Sequence, residues 1–173
     1  MDNHSNTAAE LACTLGAALT ARGFMLVLAE SCTGGMVAQT VTSVAGSSAW
    51  FDRGFVTYSN AAKIDMLGVS AQTLEKFGAV SEQTAAEMAA GCLKASALKH
   101  SQAHIAGSIT GIAGPGGGTA DKPVGTVCFG FAQANQGIAS TQHFTGNREQ
   151  VRQQATVFLM QLLIERLKTN QLD

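Results

Sequence analysis

The chain has 173 residues, of which 46% are hydrophobic and only 13% are charged, and its formal net charge is -1. This length suits one domain with a buried core, and we expect a single domain over residues 1–173. The nearly balanced charge, with no basic stretch interleaved with aromatic residues, argues against a nucleic-acid partner. The charged fraction is low against a usual value of about 25%, which favours a homo-oligomer, most simply a homodimer.

The spacing of cysteines and histidines bears on metal and cofactor binding, and the apolar segments bear on the cellular location. The four cysteines are scattered without a CxxC pair and the four histidines form no ligand cluster, so we expect no metal and no other cofactor. No apolar run approaches the ~20 residues that cross a bilayer, and the amino terminus lacks the basic and apolar regions of a secretion signal. We therefore expect a cytoplasmic protein without membrane contact.

Hydrophobic periodicity predicts strands joined by helices, followed by a strand pair and a last helix. Continuous apolar runs indicate strands covered on both faces, whereas apolar residues at helical spacing indicate the helices. The predicted elements are a helix over 7–21, a strand over 24–28, a helix from 36 to 44–46, a strand over 50–58, helices over 61–67, 68–77 and 81–98, a strand over 104–110, a hairpin of strands 126–132 and 137–144 turning at 135–137, and a helix over 148–168. This order predicts an α/β fold with a mixed, mostly parallel sheet of about five strands.

The junction Ala29-Glu30-Ser31-Cys32-Thr33-Gly34-Gly35 follows the first predicted strand and is the centre of the predicted site. It places Ser31 at the carboxyl end of a central strand, the edge where open α/β sheets bind ligands. A hydroxyl there could attack a carbonyl carbon, and main-chain N–H groups around Thr33 and Gly34 could hold the oxyanion. The alternative is that Ser31 and Thr33 only cap the helix. Because consecutive side chains diverge on a sharp turn, Cys32 is assigned to packing.

Lys63 lies in the first turn of the third predicted helix, after Ser59 and Asn60. The helix dipole disfavours a cation at that position, which is one way to keep an amine neutral and able to accept a proton. The alternative is that Lys63 points into water, as most lysines do.

A segment with five glycines, Gly111-Ile112-Ala113-Gly114-Pro115-Gly116-Gly117-Gly118, follows another predicted strand. It lacks the lysine of a P-loop and the full dinucleotide fingerprint with its following helix. Its nonglycine residues favour an ordered binding loop over a flexible connection.

Arg148 and Arg152 lie one turn apart in the last predicted helix. Two guanidiniums at this spacing could clamp a phosphate or a carboxylate, or they could form an ordinary solvated pair.

Together these segments resemble the carboxyl-terminal domain of the competence/damage-inducible protein family, whose stand-alone members act as nicotinamide-nucleotide amidohydrolases. The matching segments occur in the family's order over roughly nine-tenths of the chain, which is more specific than any single motif. They are 29–35; Tyr58-Ser59-Asn60 with Lys63 and 67–69; 78–81; 111–115 with 117–118 and 122–125; and Phe144 with Gly146, Arg148 and Arg152. The sequence lacks the amino-terminal molybdopterin-binding-like domain of the longer members, so we expect no activity that resides there.

The resemblance implies a three-layer α/β/α domain that hydrolyses the carboxamide of nicotinamide mononucleotide to nicotinate mononucleotide and ammonia. It implies a serine and lysine pair at Ser31 and Lys63, with Tyr58 close by, so that Lys63 takes the serine proton directly or through Tyr58. The candidate residues for binding this phosphorylated pyridine nucleotide are Gly35, Ser81, Thr110, Gly111, Ala113, Gly114, Arg148 and Arg152. Two rival hypotheses stay open: a catalytically silent nucleotide-binding or regulatory module, and an amidase of another small amide.

Overall fold

The computed structural model describes residues 3–97, 103–134 and 136–169. Helices connect the first three strands, and a hairpin and a last helix follow, as the periodicity predicts. In chain order the elements are α1 (Asn3–Thr20), β1 (Leu26–Glu30), α2 (Met36–Thr42), a 3-10 turn (Ser47–Ala49), β2 (Phe51–Val56), α3 (Asn60–Leu67), α4 (Ala71–Phe77), α5 (Glu82–Ala97), β3 (Ile105–Gly111), β4 (Thr126–Gln133), β5 (Gln136–His143) and α6 (Arg148–Thr169).

The five strands form a sheet in the order β2-β1-β3-β4-β5. β1 pairs in parallel with both β2 and β3, whereas β4 is antiparallel to β3 and β5 is antiparallel to β4. The predicted mixed α/β sheet is thereby confirmed. Glu30, the last residue of β1, lies opposite Val56 of β2 and Ile109 of β3, so the junction that carries Ser31 leaves the sheet between two flanking strands.

Helices cover both faces of the sheet and complete the three layers. α1, α2 and α6 pack on the face that carries Leu26 and Leu28, whereas α3, α4 and α5 pack on the face that carries Val27 and Ala29. Because side chains alternate along a strand, the same alternation directs Glu30 toward α2 and Ser31 toward α3.

Several element boundaries differ from the prediction by a few residues, among them the following three. β1 extends to Glu30 instead of ending at 28, because both neighbouring strands continue beside it. α2 ends at Thr42 instead of 44–46, where the Thr42 and Ser43 hydroxyls bond to carbonyls of the preceding turn. Gln133 pairs with Gln136, so Gln136 and Gly137 belong to β5 rather than to the predicted turn. Positions 135 and 98, which belong to the predicted turn and helix end, lie outside the described residues.

Within these described ranges, no helix combines the length and apolar character needed to cross a membrane.

Candidate active site

Ser31 begins the turn between β1 and α2. Its main-chain N–H donates to the Ile109 carbonyl at 2.9 Å, which extends the pairing of β1 with β3 by one residue. Its side chain is nearly buried, with 8% exposed. The hydroxyl therefore has a fixed position at the carboxyl edge of the sheet.

Lys63 reaches Ser31 from α3. The Ser59 hydroxyl caps this helix by accepting the Ala62 N–H at 3.0 Å, and Lys63 is the fourth helical residue. The lysine side chain is 1% exposed, and Nζ donates to Ser31 Oγ at 3.1 Å and to the Thr57 carbonyl at 2.8 Å. The structure thus brings together the two residues that the resemblance implies as nucleophile and base.

Burial lowers the pKa of Lys63 below its ordinary value of 10.5. A buried ammonium loses hydration, so the neutral amine is favoured relative to a lysine in water. From the sequence we expect the helix dipole to disfavour the cation, but in the structure the main cause is burial. In either case the neutral form of the amine, which can accept a proton, is favoured.

Arg148 and Tyr58 lie at the mouth of the same site. Arg148 Nη1 donates to the Gly114 carbonyl and Nη2 donates to the Tyr58 hydroxyl, both at 2.8 Å. Tyr58 is 60% exposed. Among the described residues no hydrogen bond joins Tyr58 to Ser31 or Lys63, so the contact between serine and lysine is direct.

Ser31, Lys63, Tyr58 and Arg148 line a cleft of about 270 Å³. The rest of its wall comes from the junction, the segment before α5, the end of β3 and the glycine-rich segment. These lining residues are Cys32, Ala79, Val80, Thr110, Gly111, Ile112, Ala113, Gly114, Gly116 and Gly117. A larger hollow of about 460 Å³ between α3 and α5 contains neither Ser31 nor Lys63.

Thr110 lies at the buried side of the cleft, with 1% of the residue exposed. Its hydroxyl donates to the Ala79 carbonyl at 2.8 Å. This bond fixes the hydroxyl and leaves its oxygen able to accept a hydrogen bond from a ligand.

The glycine-rich segment is packed against residues 124–126, which lead into β4. Gly114 has a φ of 85°, and a Cβ there would lie 2.5 Å from Val124 Cγ1. The Ile112 N–H donates to the Thr126 carbonyl at 2.9 Å, and the Gly125 N–H donates to the Ile112 carbonyl at 2.8 Å. These contacts agree with an ordered loop.

Glu30 had no role in the sequence-based hypothesis, yet its carboxylate organises the junction. Glu30 is 1% exposed, and Oε2 accepts from the Thr33 hydroxyl at 2.7 Å and from the main-chain N–H of Gly35 at 3.0 Å and of Val37 at 3.2 Å. Oε1 accepts from the Ala38 N–H at 2.8 Å. The signal in the sequence is a charged residue at the end of a buried strand, because such a group must find partners inside the protein.

One predicted oxyanion donor, Gly34, and one predicted substrate contact, Gly35, are already engaged inside the junction. The Gly34 N–H donates to the Ser31 carbonyl at 3.0 Å, and the Gly35 N–H donates to Glu30. Neither glycine lines the cleft. The Thr33 N–H has no acceptor among the described residues, but Thr33 is fully buried and does not line the cleft either.

Two predicted substrate contacts also lie outside the cleft. The Ser81 hydroxyl caps α5, since it accepts the Thr84 N–H at 3.2 Å and donates to the Gly78 carbonyl at 3.0 Å. Arg152 Nη2 donates to the Thr33 carbonyl at 2.8 Å, so this arginine holds the junction rather than sharing an acceptor with Arg148.

Cys32 packs in the apolar cluster on the α2 side of the sheet, as predicted. Burial raises the pKa of its thiol to about 11. A thiol with that pKa stays protonated at neutral pH and is a poor nucleophile.

Comparison with known proteins identifies relatives over the whole of this site. The CinA C-terminal domain matches residues 8–167. The chain is 55% identical over 162 residues to nicotinamide-nucleotide amidohydrolase PncC of Enterobacter agglomerans, covering 93% of this chain and 96% of the relative. It is 54% identical over 157 residues to nicotinamide-nucleotide amidohydrolase PncC of Escherichia coli K12, covering 90% of this chain and 92% of the relative.

A solved structure gives the same result for the fold. The crystal structure of competence/damage inducible protein CihA from Agrobacterium tumefaciens superposes with a TM-score of 0.87 at 44% identity, covering 94% of this chain and 96% of that chain. The matched range 8–167 includes the junction after β1, Lys63, the glycine-rich segment and both arginines. The chain therefore belongs to the CinA C-terminal domain family.

Proposed function

We propose that this protein hydrolyses the carboxamide of nicotinamide mononucleotide to nicotinate mononucleotide and ammonia, with Ser31 as nucleophile and Lys63 as its base. The observation that carries the proposal is the buried contact of 3.1 Å between Ser31 Oγ and Lys63 Nζ at the wall of the cleft. The two relatives named as nicotinamide-nucleotide amidohydrolases, at 55% and 54% identity, support the substrate.

In the first half of the proposed reaction, Ser31 Oγ attacks the amide carbon while neutral Lys63 takes the hydroxyl proton. The carbonyl electrons move to oxygen, where a main-chain N–H of the junction is the candidate donor to the oxyanion. Lys63 then gives its proton to the amide nitrogen as the C–N bond breaks. Ammonia leaves, and the acyl group stays on Ser31 as an ester.

In the second half, water attacks the ester carbon and Lys63 takes a proton from the water. The bond to Ser31 Oγ breaks, and the proton returns from Lys63 to the serine. One water is consumed, and nicotinate mononucleotide is released. Because Nζ contacts Oγ directly, this route needs no relay through Tyr58.

Arg148 and the glycine-rich segment are the proposed contacts for the substrate phosphate. A guanidinium has five N–H donors, and those that do not bind Gly114 or Tyr58 remain for a ligand. Gly111, Ala113 and Gly114 line the same wall, and Thr110 is the proposed contact for the ribose or the ring. We assign Arg152 to support of the junction, because it donates to the Thr33 carbonyl.

A cytoplasmic homodimer is the proposed working form. Four large apolar side chains at and near the end of β2 and on α3 are exposed, and a second copy could cover them: Val56, Tyr58, Ile64 and Met66. All four cysteines are free, which agrees with a reducing compartment.

The test compares ammonia release from nicotinamide mononucleotide, free nicotinamide and the dinucleotide, with no metal added. The proposal expects ammonia and nicotinate mononucleotide in equal amounts, and a kcat/KM for the mononucleotide above those for the other two. Binding of the mononucleotide without any ammonia would favour the silent module. A higher kcat/KM for the free base or for the dinucleotide would favour an amidase with another substrate.

A further inference from the structure

We infer that Glu30 is a positioning residue for the reaction of Ser31: its buried carboxylate fixes the junction that presents the serine hydroxyl to the cleft. The inference rests on the proposed function where it is tested by the rate of ammonia release. The hydrogen bonds of Glu30 do not depend on that function.

The Glu30 carboxylate gathers donors from the whole junction. It accepts the Thr33 hydroxyl and three main-chain N–H groups, the last of them from Ala38, eight residues farther along the chain. Hydrogen bonds to a carboxylate are shorter and stronger than those between neutral groups, and they favour one arrangement of the turn. A neutral side chain of the same shape cannot reproduce this set, because an amide has one acceptor oxygen and turns an NH₂ toward the remaining N–H.

Thr33 is held from two sides, and this fixes the direction of its N–H. Its hydroxyl donates to Glu30 at 2.7 Å, and its carbonyl accepts from Arg152 at 2.8 Å. The Thr33 N–H is the predicted oxyanion donor that has no acceptor among the described residues. Loss of the Glu30 contact would therefore let the junction that carries Ser31 move.

The main chain of Glu30 also connects the nucleophile to the anchor of its base. The Glu30 carbonyl accepts the Thr57 N–H at 2.8 Å, and the Thr57 carbonyl accepts Lys63 Nζ at 2.8 Å. Glu30 thus lies one residue from the nucleophile and two hydrogen bonds from the base. A displacement of its backbone would change the distance between Ser31 Oγ and Lys63 Nζ.

A carboxylate at a helix start can also be purely structural, and the chain offers a matched example. Glu87 accepts the Ser70 N–H at 2.7 Å and the Thr73 hydroxyl at 2.5 Å at the start of α4. It does not line the cleft. Glu87→Gln therefore measures the effect of weakening a helix start away from the cleft.

The experiment compares Glu30→Gln, Thr33→Val and Glu87→Gln with the parent protein, with kcat corrected for the folded fraction from urea unfolding. We expect kcat to fall about 100-fold in Glu30→Gln with KM within about threefold, because small misplacements of reacting groups cost rate more than binding. The kcat of Thr33→Val, which removes one of the donors to the Glu30 carboxylate, should fall about tenfold, and the kcat of Glu87→Gln should stay within about twofold of the parent value.

A corrected kcat for Glu30→Gln equal to that of Glu87→Gln would overturn the inference. If Glu30→Gln does not fold, the same comparison is made with Thr33→Val: a corrected kcat equal to that of Glu87→Gln would overturn the inference.

A second readout separates this inference from the proposed function. Phenylmethylsulfonyl fluoride modifies a reactive serine: the bond between Oγ and sulfur forms, the bond between sulfur and fluorine breaks, fluoride leaves and Lys63 accepts the proton. We expect the rate of Ser31 modification, measured by mass spectrometry, to fall about tenfold in Glu30→Gln and not in Glu87→Gln.

If the parent protein releases no ammonia but shows this difference, the proposed function fails and the inference on Glu30 stands. If the parent protein is active and Glu30→Gln matches it in both readouts, the inference fails alone. If the parent protein shows neither reaction, both fail.

Discussion

The guanidinium of Arg148 donates a hydrogen bond of 2.8 Å to the hydroxyl of Tyr58, and so joins the start of α6 to the segment that follows β2. The other terminal nitrogen of the same guanidinium, Nη1, donates to the Gly114 carbonyl. Three separate segments of the chain therefore meet at the mouth of the cleft. The Tyr58 hydroxyl interacts with Arg148, whereas Lys63 contacts Ser31 directly.

Tyr58→Phe tests whether the tyrosine hydroxyl takes part in proton transfer. Because the serine and lysine are in direct contact, the change removes only the hydrogen bond to Arg148. We expect kcat to fall by less than about tenfold, the size of one hydrogen bond of about 1 kcal/mol. Steady-state kinetics with nicotinamide mononucleotide give the answer. A loss of about 100-fold or more would instead assign the tyrosine to a proton relay.

The pH dependence of kcat/KM reports the protonation state of Lys63. Burial places the pKa of this lysine below 10.5, and the proposed mechanism needs the neutral amine. We therefore expect kcat/KM to rise with pH through the lowered pKa of Lys63 and to become constant above it, with the slope of a single proton. Initial rates across the pH range in which the protein stays folded measure this profile. A kcat/KM that decreases as pH rises through this range would contradict a neutral lysine base.

The same lowered pKa predicts how stability depends on pH. Between the folded pKa of Lys63 and 10.5, the unfolded chain binds a proton that the native protein does not, so the free energy of unfolding rises with pH. The maximum slope for one group is about 1.4 kcal/mol per pH unit. Urea unfolding at a series of pH values should show this rise in the parent protein relative to Lys63→Met.

Lys168→Met is the control for that comparison, because Lys168 is an exposed lysine near the end of α6. Its difference from the parent protein should not change with pH over the same range. An equal slope in the Lys63→Met variant and the parent would show that Lys63 is not responsible.

Two alanine substitutions test the packing of the glycine-rich segment. Gly114 has a φ of 85° and its Cβ would lie 2.5 Å from Val124, whereas a Cβ at Gly116 meets no atom within 4 Å. We expect Gly114→Ala to lower the free energy of unfolding by about 2 kcal/mol, from backbone strain and the steric clash, and Gly116→Ala to change it by less than about 0.5 kcal/mol. Denaturant unfolding measures both values. Equal effects would mean that the loop adapts to a side chain at either position.

The fold could be predicted because local patterns determine the strands and helices, whereas the pairing of Ser31 with Lys63 is implied by the family resemblance. The continuous apolar run of β1 and the glycines after it indicate a strand end, and alternation along β1 turns Ser31 toward the face on which α3 packs. Ser59 marks the start of α3 and so places Lys63 near that edge. These features depend on residues close together in the chain.

The remaining features of the site depend on contacts that sequence patterns do not fix. Helical spacing puts Arg148 and Arg152 on one side of α6, but it does not reveal that Arg152 donates to Thr33, 119 residues away. The Glu30 carboxylate accepts three main-chain N–H groups of the junction and the following helix, and these contacts determine which N–H groups have no acceptor. Ser81 is different, because its position before Glu82 already indicates a helix cap.

The most direct test of the Ser31 and Lys63 pair is ammonia release from nicotinamide mononucleotide by Ser31→Ala, by Lys63→Met and by the double variant, with Ser48→Ala as an exposed-serine control. Residues that act as one unit show losses that do not add. We predict that each single variant loses at least about 1,000-fold in kcat, that the double variant loses no more, and that Ser48→Ala keeps the parent rate. A Ser31→Ala variant that is folded and retains more than about a tenth of the parent kcat would contradict the proposed mechanism.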